Sequence, residues 1–191
     1  MRMGALTSWR LQSEILSLEW SDIGLVNKLI RLDARNSKNK EPRVFPYAQF
    51  PELAKVIEDQ RAQADRIQRQ YQAIVKWVFF RETKQGAVQI RSYKTAWRSA
   101  REKAGFPEKI VHDLRRSGVR SFRQAGIPES VSMKLSGHLT RSVFLRYDII
   151  DDKDLQAGVA QLGKWHAQSA IRDTYGTVVP LPKVQGEATN G

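Results

Sequence analysis

The sequence has 191 residues, 41% of them hydrophobic, which is enough for one ordinary domain with a real core and argues against global disorder. Its 32 Lys and Arg outnumber 20 Asp and Glu, and the formal net charge of +12 points to a densely anionic partner: nucleic acid first, then an anionic membrane or an acidic protein. The lack of cysteine excludes disulfides and thiolate metal sites, no apolar run approaches the roughly 20 residues of a membrane span, and the first nine residues carry no signal-peptide stretch, so the expectation is a soluble, cytoplasmic chain.

Residues 10–20 place Leu11, Ile15, Leu16 and Leu18 near helical spacing, predicting a helix that stops before Ser21-Asp22-Ile23-Gly24. Residues 25–32 read as a strand, the polar run 35–40 as a turn, and Arg43-Val44-Phe45 as a returning strand: a small antiparallel sheet with a basic hairpin. Pro51 opens a long polar helix to about Tyr71, with Leu53, Val56 and Ile57 on its buried side. Residues 75–80 read as a short strand or extended segment, and 93–103 as a helix closed by Gly105. The second half is helical: 112–124 ending at Gly126, 128–135 ending at Gly137, 141–147 with Thr140 as its cap, and 151–168 with Leu155, Val159 and Leu162 along one stripe. From 173 onward Gly176, Pro180, Pro182 and Gly186 predict a flexible tail. There is no internal repeat.

Five segments carry chemistry: Thr7-Ser8-Trp9-Arg10-Leu11-Gln12-Ser13-Glu14, Ser37-Lys38-Asn39, His112-Asp113-Leu114-Arg115-Arg116-Ser117, Leu135-Ser136-Gly137-His138 and Arg146-Tyr147. Each residue alone has a duller reading. Tyr147, beside Phe144 and Leu145, suits a core; Arg10 and Lys38 suit a solvated surface; His112-Asp113 suits a helix start; His138 suits a helix C-terminus. Together, in this order and at these separations, the segments resemble the signature boxes of the tyrosine recombinase, or phage integrase, family. His-x-x-Arg alone is weak, and the ordered set is what makes the resemblance specific. It covers the chain from Thr7 to about His166.

The resemblance implies an α+β fold, mainly α-helical with a small antiparallel β-sheet near the N-terminus: the DNA breaking-rejoining fold. Residues 1–172 would be the catalytic domain and 173–191 the tail. The implied activity is site-specific recombination of double-stranded DNA by strand cleavage and rejoining. Breaking a phosphodiester concentrates negative charge on the non-bridging oxygens, which guanidinium forks match, so Arg10 and Arg115 are the expected clamp. A phenol with a pKa of about 10 is a poor nucleophile until its proton is shared, and His112 and His138 are placed to help Tyr147 with it. Lys38, by resemblance, protonates the departing 5′ oxygen, with Lys40 as its competitor. Attack leaves a 3′-phosphotyrosyl bond that a 5′ hydroxyl can reverse without ATP, cofactor or metal.

Glu14, one helical turn after Arg10, is expected to pair with it and hold it in place. The glycine usual before this box is Ser8 here. Arg91, Lys94 and Arg98 on one helical face, with Arg116 and Arg141 beside the catalytic residues, are expected to position DNA phosphates. Trp77, Trp97 and Trp165 read as packing aromatics. The partner is duplex DNA and no membrane, with a tetramer expected on paired sites at full length and a nucleoid location. Two alternatives stand beside this: a recombination-inactive remnant that only binds DNA, and a type IB topoisomerase-like enzyme. Only nine residues precede Arg10, so a first helix and an upstream DNA-clamping domain are expected to be missing, exposing apolar surface around Leu6, Leu11 and Ile15.

Overall fold

The computed structural model describes residues 1–37, 40–147, 150 and 152–173, with the backbone alone over 170–173. Helix α1, Arg2–Thr7, leads the chain and packs on α4, His112–Gln124. Their approach is close because Gly118 has no side chain: a Cβ there would lie 2.7 Å from the Ala5 carbonyl. Met3 of α1 joins Leu11 and Ile15 in the core. The expected exposure of Leu11 and Ile15 is thus overturned; both are buried.

The helix expected over 10–20 shrinks to one wide turn, Leu11–Ile15. Tertiary pairing wins over local periodicity here. The Leu18 carbonyl accepts from Val78 N at 3.0 Å, and Trp20 N donates to the Lys76 carbonyl at 3.0 Å, so residues 18–20 are drawn into an extended ladder. The first sheet has the order β1 (Ile23–Gly24), β2 (Leu29–Leu32), β3 (Arg43–Pro46), antiparallel throughout. The strand expected over 25–32 is therefore shortened to 29–32, because 25–28 form a turn whose Lys28 takes a left-handed φ of 52°. Register pairs Ile30 with Phe45 and Leu32 with Arg43, which turns all four inward, while Arg31 and Val44 face out.

Helix α2, Pro51–Tyr71, starts on its proline as expected and bridges two cores. Leu53 and Ile57 join Trp9, Leu18, Ile30, Phe45 and Phe122 in the main one. Ala64 and Ile67 sit farther along the same stripe with Val75 and Phe80. Phe80 begins a second sheet that the sequence did not reveal, the hairpin β4 (Phe80–Thr83) and β5 (Gly86–Gln89). Gly86, at φ 119°, opens its return strand.

Helices α3 (Lys94–Lys103), α4, α5 (Glu129–Ser136) and α6 (Arg141–Leu145) follow close to expectation. Gly105, Gly126 and Gly137 all take the left-handed conformation that stops each preceding helix. Thr140 precedes α6 but makes no side-chain capping bond.

Residues 1–149 form one compact unit and residues 150–191 a second. Of the second, the description covers α7, Asp152–Asp173, which runs beyond the expected end. Its stripe Leu155, Val159 and Leu162 is exposed, as is Trp165, so Trp165 is not the packing aromatic expected. The tail beyond 173 lies outside the described residues. No helix among the described residues is long and apolar enough to cross a membrane.

Candidate active site

Three strands of sequence, distant in the chain, meet beneath one surface. The first is the turn after Trp9. Its wide hydrogen bonding, with Glu14 N and Ile15 N both donating to the Arg10 carbonyl at 3.1 Å, brings the Glu14 carboxylate back over its own start. Glu14 accepts from Arg10 N at 2.8 Å and from Arg10 Nη1 at 2.8 Å, the pairing that the one-turn spacing predicts.

The same carboxylate, fully buried, also meets Arg43 Nη2 at 2.6 Å. This second partner is a residue the sequence reasoning missed. The signal was present in the strand alternation: if Phe45 faces the core, so must Arg43, and a buried arginine requires a carboxylate. Arg43 Nη1 donates to the Ser136 carbonyl at 2.7 Å, tying β3 to the end of α5. Its guanidinium also lies 5.4 Å from the Trp9 ring, whose Nε1 donates to the Leu135 carbonyl at 2.8 Å.

Arg115 sits in the middle. It is buried on the first turns of α4, and its Nη1 donates to the Ser8 carbonyl. Ser8 holds φ at 60°, a left-handed conformation suited to the glycine usual there, and its hydroxyl donates to the Arg115 carbonyl at 2.9 Å. That bond compensates for the unusual residue and locks the two arginine-bearing segments together. Arg115 Nη2 lies 3.0 Å from His138 Nε2. The His138 ring stands edge-on to Phe144 at 5.5 Å and tilted against Tyr147 at 4.9 Å. The Arg115 guanidinium carbon lies 5.7 Å from the centre of the Tyr147 ring.

Electrostatics follow from crowding cations in a dry place. Burial, and then the neighbouring Arg10 and Arg43 charges, push Arg115 down to about 10, which leaves it protonated at neutral pH. Burial, and then Arg115, Arg10 and Arg43, push His138 down to about 3, so its imidazole is neutral.

His112 opens α4, exposed, on a cleft of about 110 Å³ that it shares with Arg10, Arg115 and Tyr93. Tyr147 borders a separate depression with Trp97, Phe106 and Arg116. Arg116 pairs with Asp113 at 2.8 Å and Arg141 with Glu129 at 2.9 Å, both largely exposed. Lys94 and Arg98 lie one turn apart on α3, of which no residue is buried; Arg91 precedes that helix and so does not share its face. Lys38 lies outside the described residues. Among the described residues, no group of three or more His, Cys, Asp or Glu is placed to hold a metal ion.

The phage integrase family profile matches residues 6–153, a span that contains every one of these side chains. The chain belongs to the phage integrase family. The integrase of Salmonella phage P22 is 27% identical over 186 residues, covering 92% of this chain and 43% of that protein. Among solved structures, the XerA recombinase superposes with a TM-score of 0.65 at 18% identity, over 82% of this chain and 54% of that one. The XerH recombinase in a pre-cleavage complex with its difH substrate gives 0.55 at 17%, over 83% and 44%. These likenesses establish the fold as that of tyrosine recombinase catalytic domains. This integrase-family chain spans less than half the length of the P22 protein and about half that of XerA.

Proposed function

We propose that this chain cuts and rejoins duplex DNA through Tyr147, as the catalytic part of a site-specific recombinase. The observation that carries the reading is that Arg115 lies against both His138 and Tyr147 and shares a cleft with Arg10, which the buried Glu14–Arg43 pair holds. Two fixed guanidinium forks with a phenol against one of them suit a phosphodiester held for in-line attack. XerH and the Tn1549 transposon integrase, whose structures hold DNA, share the fold, which supports duplex DNA as the partner.

In this reading the Tyr147 oxygen attacks phosphorus while Arg10 and Arg115 take the charge on the non-bridging oxygens. His112, at the mouth of the Arg10–Arg115 cleft, and His138 bond the phosphate or the phenol. Lys38 gives its proton to the departing 5′ oxygen. Exchange between two duplexes needs four cleavages, so the full-length protein would act as a tetramer on paired sites. Duplex binding would keep it on the nucleoid. The net charge of +12 would by itself equally suit one second reading, a chain that binds DNA without recombining it.

A suicide substrate nicked beside the scissile phosphate separates the two. The chain should form a covalent protein–DNA adduct that Tyr147→Phe abolishes, and a 5′-bridging sulfur should restore cleavage to Lys38→Ala. Adduct surviving in Tyr147→Phe rejects the nucleophile, and no adduct with any substrate leaves the binding-only chain.

A further inference from the structure

The cleft shared by Arg10, His112 and Arg115 adjoins a second one. Gln12 lines the first, and its Nε2 donates to the Arg91 carbonyl at 2.5 Å. Arg91 in turn lines a larger groove of about 750 Å³, together with Trp77, Arg81, Val88, Gln89 and Ser92. Gln89 Nε2 donates to the Leu16 carbonyl at 3.2 Å. These two bonds pin the end of β5, and the segment after it, to the turn that follows Arg10. The groove is therefore held at a fixed place relative to the cleft.

Its chemistry is one-sided. None of the described residues lining it is acidic. Register sets Arg81 opposite Val88, on the face away from the buried Phe80, and both Arg81 and Arg91 are exposed. Neither arginine side chain has an ion-pair or hydrogen-bond partner among the described residues. Neighbouring cations differ: Arg61 meets Asp65 at 3.0 Å, Arg66 meets Glu82 at 2.7 Å and Lys76 meets Glu19 at 3.1 Å. Unpaired guanidinium groups in a groove free of carboxylates favour phosphate oxygens. The groove's one indole, Trp77, packs against the second core and lies under the Lys76 ammonium at 5.1 Å, which disfavours stacking by a base.

We propose that this groove carries the phosphate backbone of the duplex on one flank of the cleavage site, with Arg81 and Arg91 as its two contacts. The inference rests on the reading of duplex DNA as the substrate and extends the bound surface from the cleft onto the β4–β5 hairpin. Contacts of this kind set where the duplex lies against Arg10 and carry no sequence preference of their own. Two cations fixed beside the cleft thus orient the DNA before any cleavage step.

The test measures the salt dependence of binding by the full chain, with a labelled duplex of arbitrary sequence as the probe and fluorescence anisotropy as the readout. Arg81→Ala should lower the log–log slope by about one unit, the value of one phosphate contact. The double variant with Arg91→Ala should lower it by about two. Arg81→Lys, which keeps the charge, should hold the wild-type slope and shows that the loss is not one of folding. Lys84→Ala is the control, because it removes the same charge from the tip of the same hairpin but outside the groove. Its slope should match the wild type. An unchanged slope in Arg81→Ala, an equal drop in Lys84→Ala, or no duplex binding by the wild type overturns the proposal. If the slope depends on Arg81 but a suicide substrate gives no Tyr147 adduct, the groove stands and the cleavage reading fails.

Discussion

The molecule handles positive charge in two opposite ways. Around Glu14, Arg43 and Arg115 are withdrawn from water, Arg10 is half-buried, and each is held by named partners. On α3 and the exposed side of α4, Lys94, Arg98 and Arg116 stand in solvent. A desolvated cation is costly to hold and is fixed in direction before any ligand arrives. A solvated one costs almost nothing, moves freely and is screened by salt. The first kind suits stabilising a transition state and the second suits gathering a polyanion.

The largest break in this contrast should come from Glu14. In Glu14→Gln, Arg10 and Arg43 lose the carboxylate that compensates them. The fold should lose about 3–5 kcal/mol, the usual cost of breaking a buried ion pair from one side. Urea unfolding measures it, and a loss below about 1 kcal/mol would show that the knot is not under charge constraint. Next, Arg10→Ala or Arg115→Ala should slow adduct formation by about 10²–10³, or roughly 3–4 kcal/mol of transition-state stabilisation. DNA affinity, shared among many cations, should change far less. Parallel losses in cleavage and binding would place these arginines in the surface class.

A pH scan sharpens the comparison, because His138 belongs to the buried class. Its folded pKa of about 3 lies below the usual 6.5, so between these values the unfolded chain binds a proton that the folded chain does not. Stability therefore falls as pH drops from 6.5 toward 3. The thermal midpoint should decline less steeply over that window in His138→Gln than in the wild type, and equal slopes would count against a neutral buried imidazole. The smallest effects belong to the surface. Lys94→Ala or Arg98→Ala should lower the log–log salt dependence of DNA binding by about one unit each, from a slope near −5 for roughly six phosphate contacts. Adduct formation at low salt should be unaffected, and a loss there would move the residue into the site.

The same division explains what the sequence made legible. Helices α2 and α4 could be read because proline, glycine and apolar spacing are local signals. The 10–20 segment misled because its fate is decided by a pairing with 76–78, far along the chain. The side chains proposed to carry the chemistry stand in the sequence as an ordered set of boxes. Arg43 was not singled out, although its place two residues before the buried Phe45 sets it on the inward face of its strand.

Gly137 shows how an omission can be a working part. It ends α5 at φ 72°, and a Cβ built on it would fall 1.7 Å from Arg43 Nη1. One hydrogen atom in place of a methyl group thus satisfies two unrelated demands, the handedness of a turn and the parking space of a guanidinium. No other amino acid meets both, so under selection for cleavage this position should tolerate no replacement at all. Its neighbours Val131 and Leu139, both open to solvent, should drift freely. A map of permitted variation across α5 would then show a point of complete intolerance bordered by latitude, set by the room a distant strand's arginine needs.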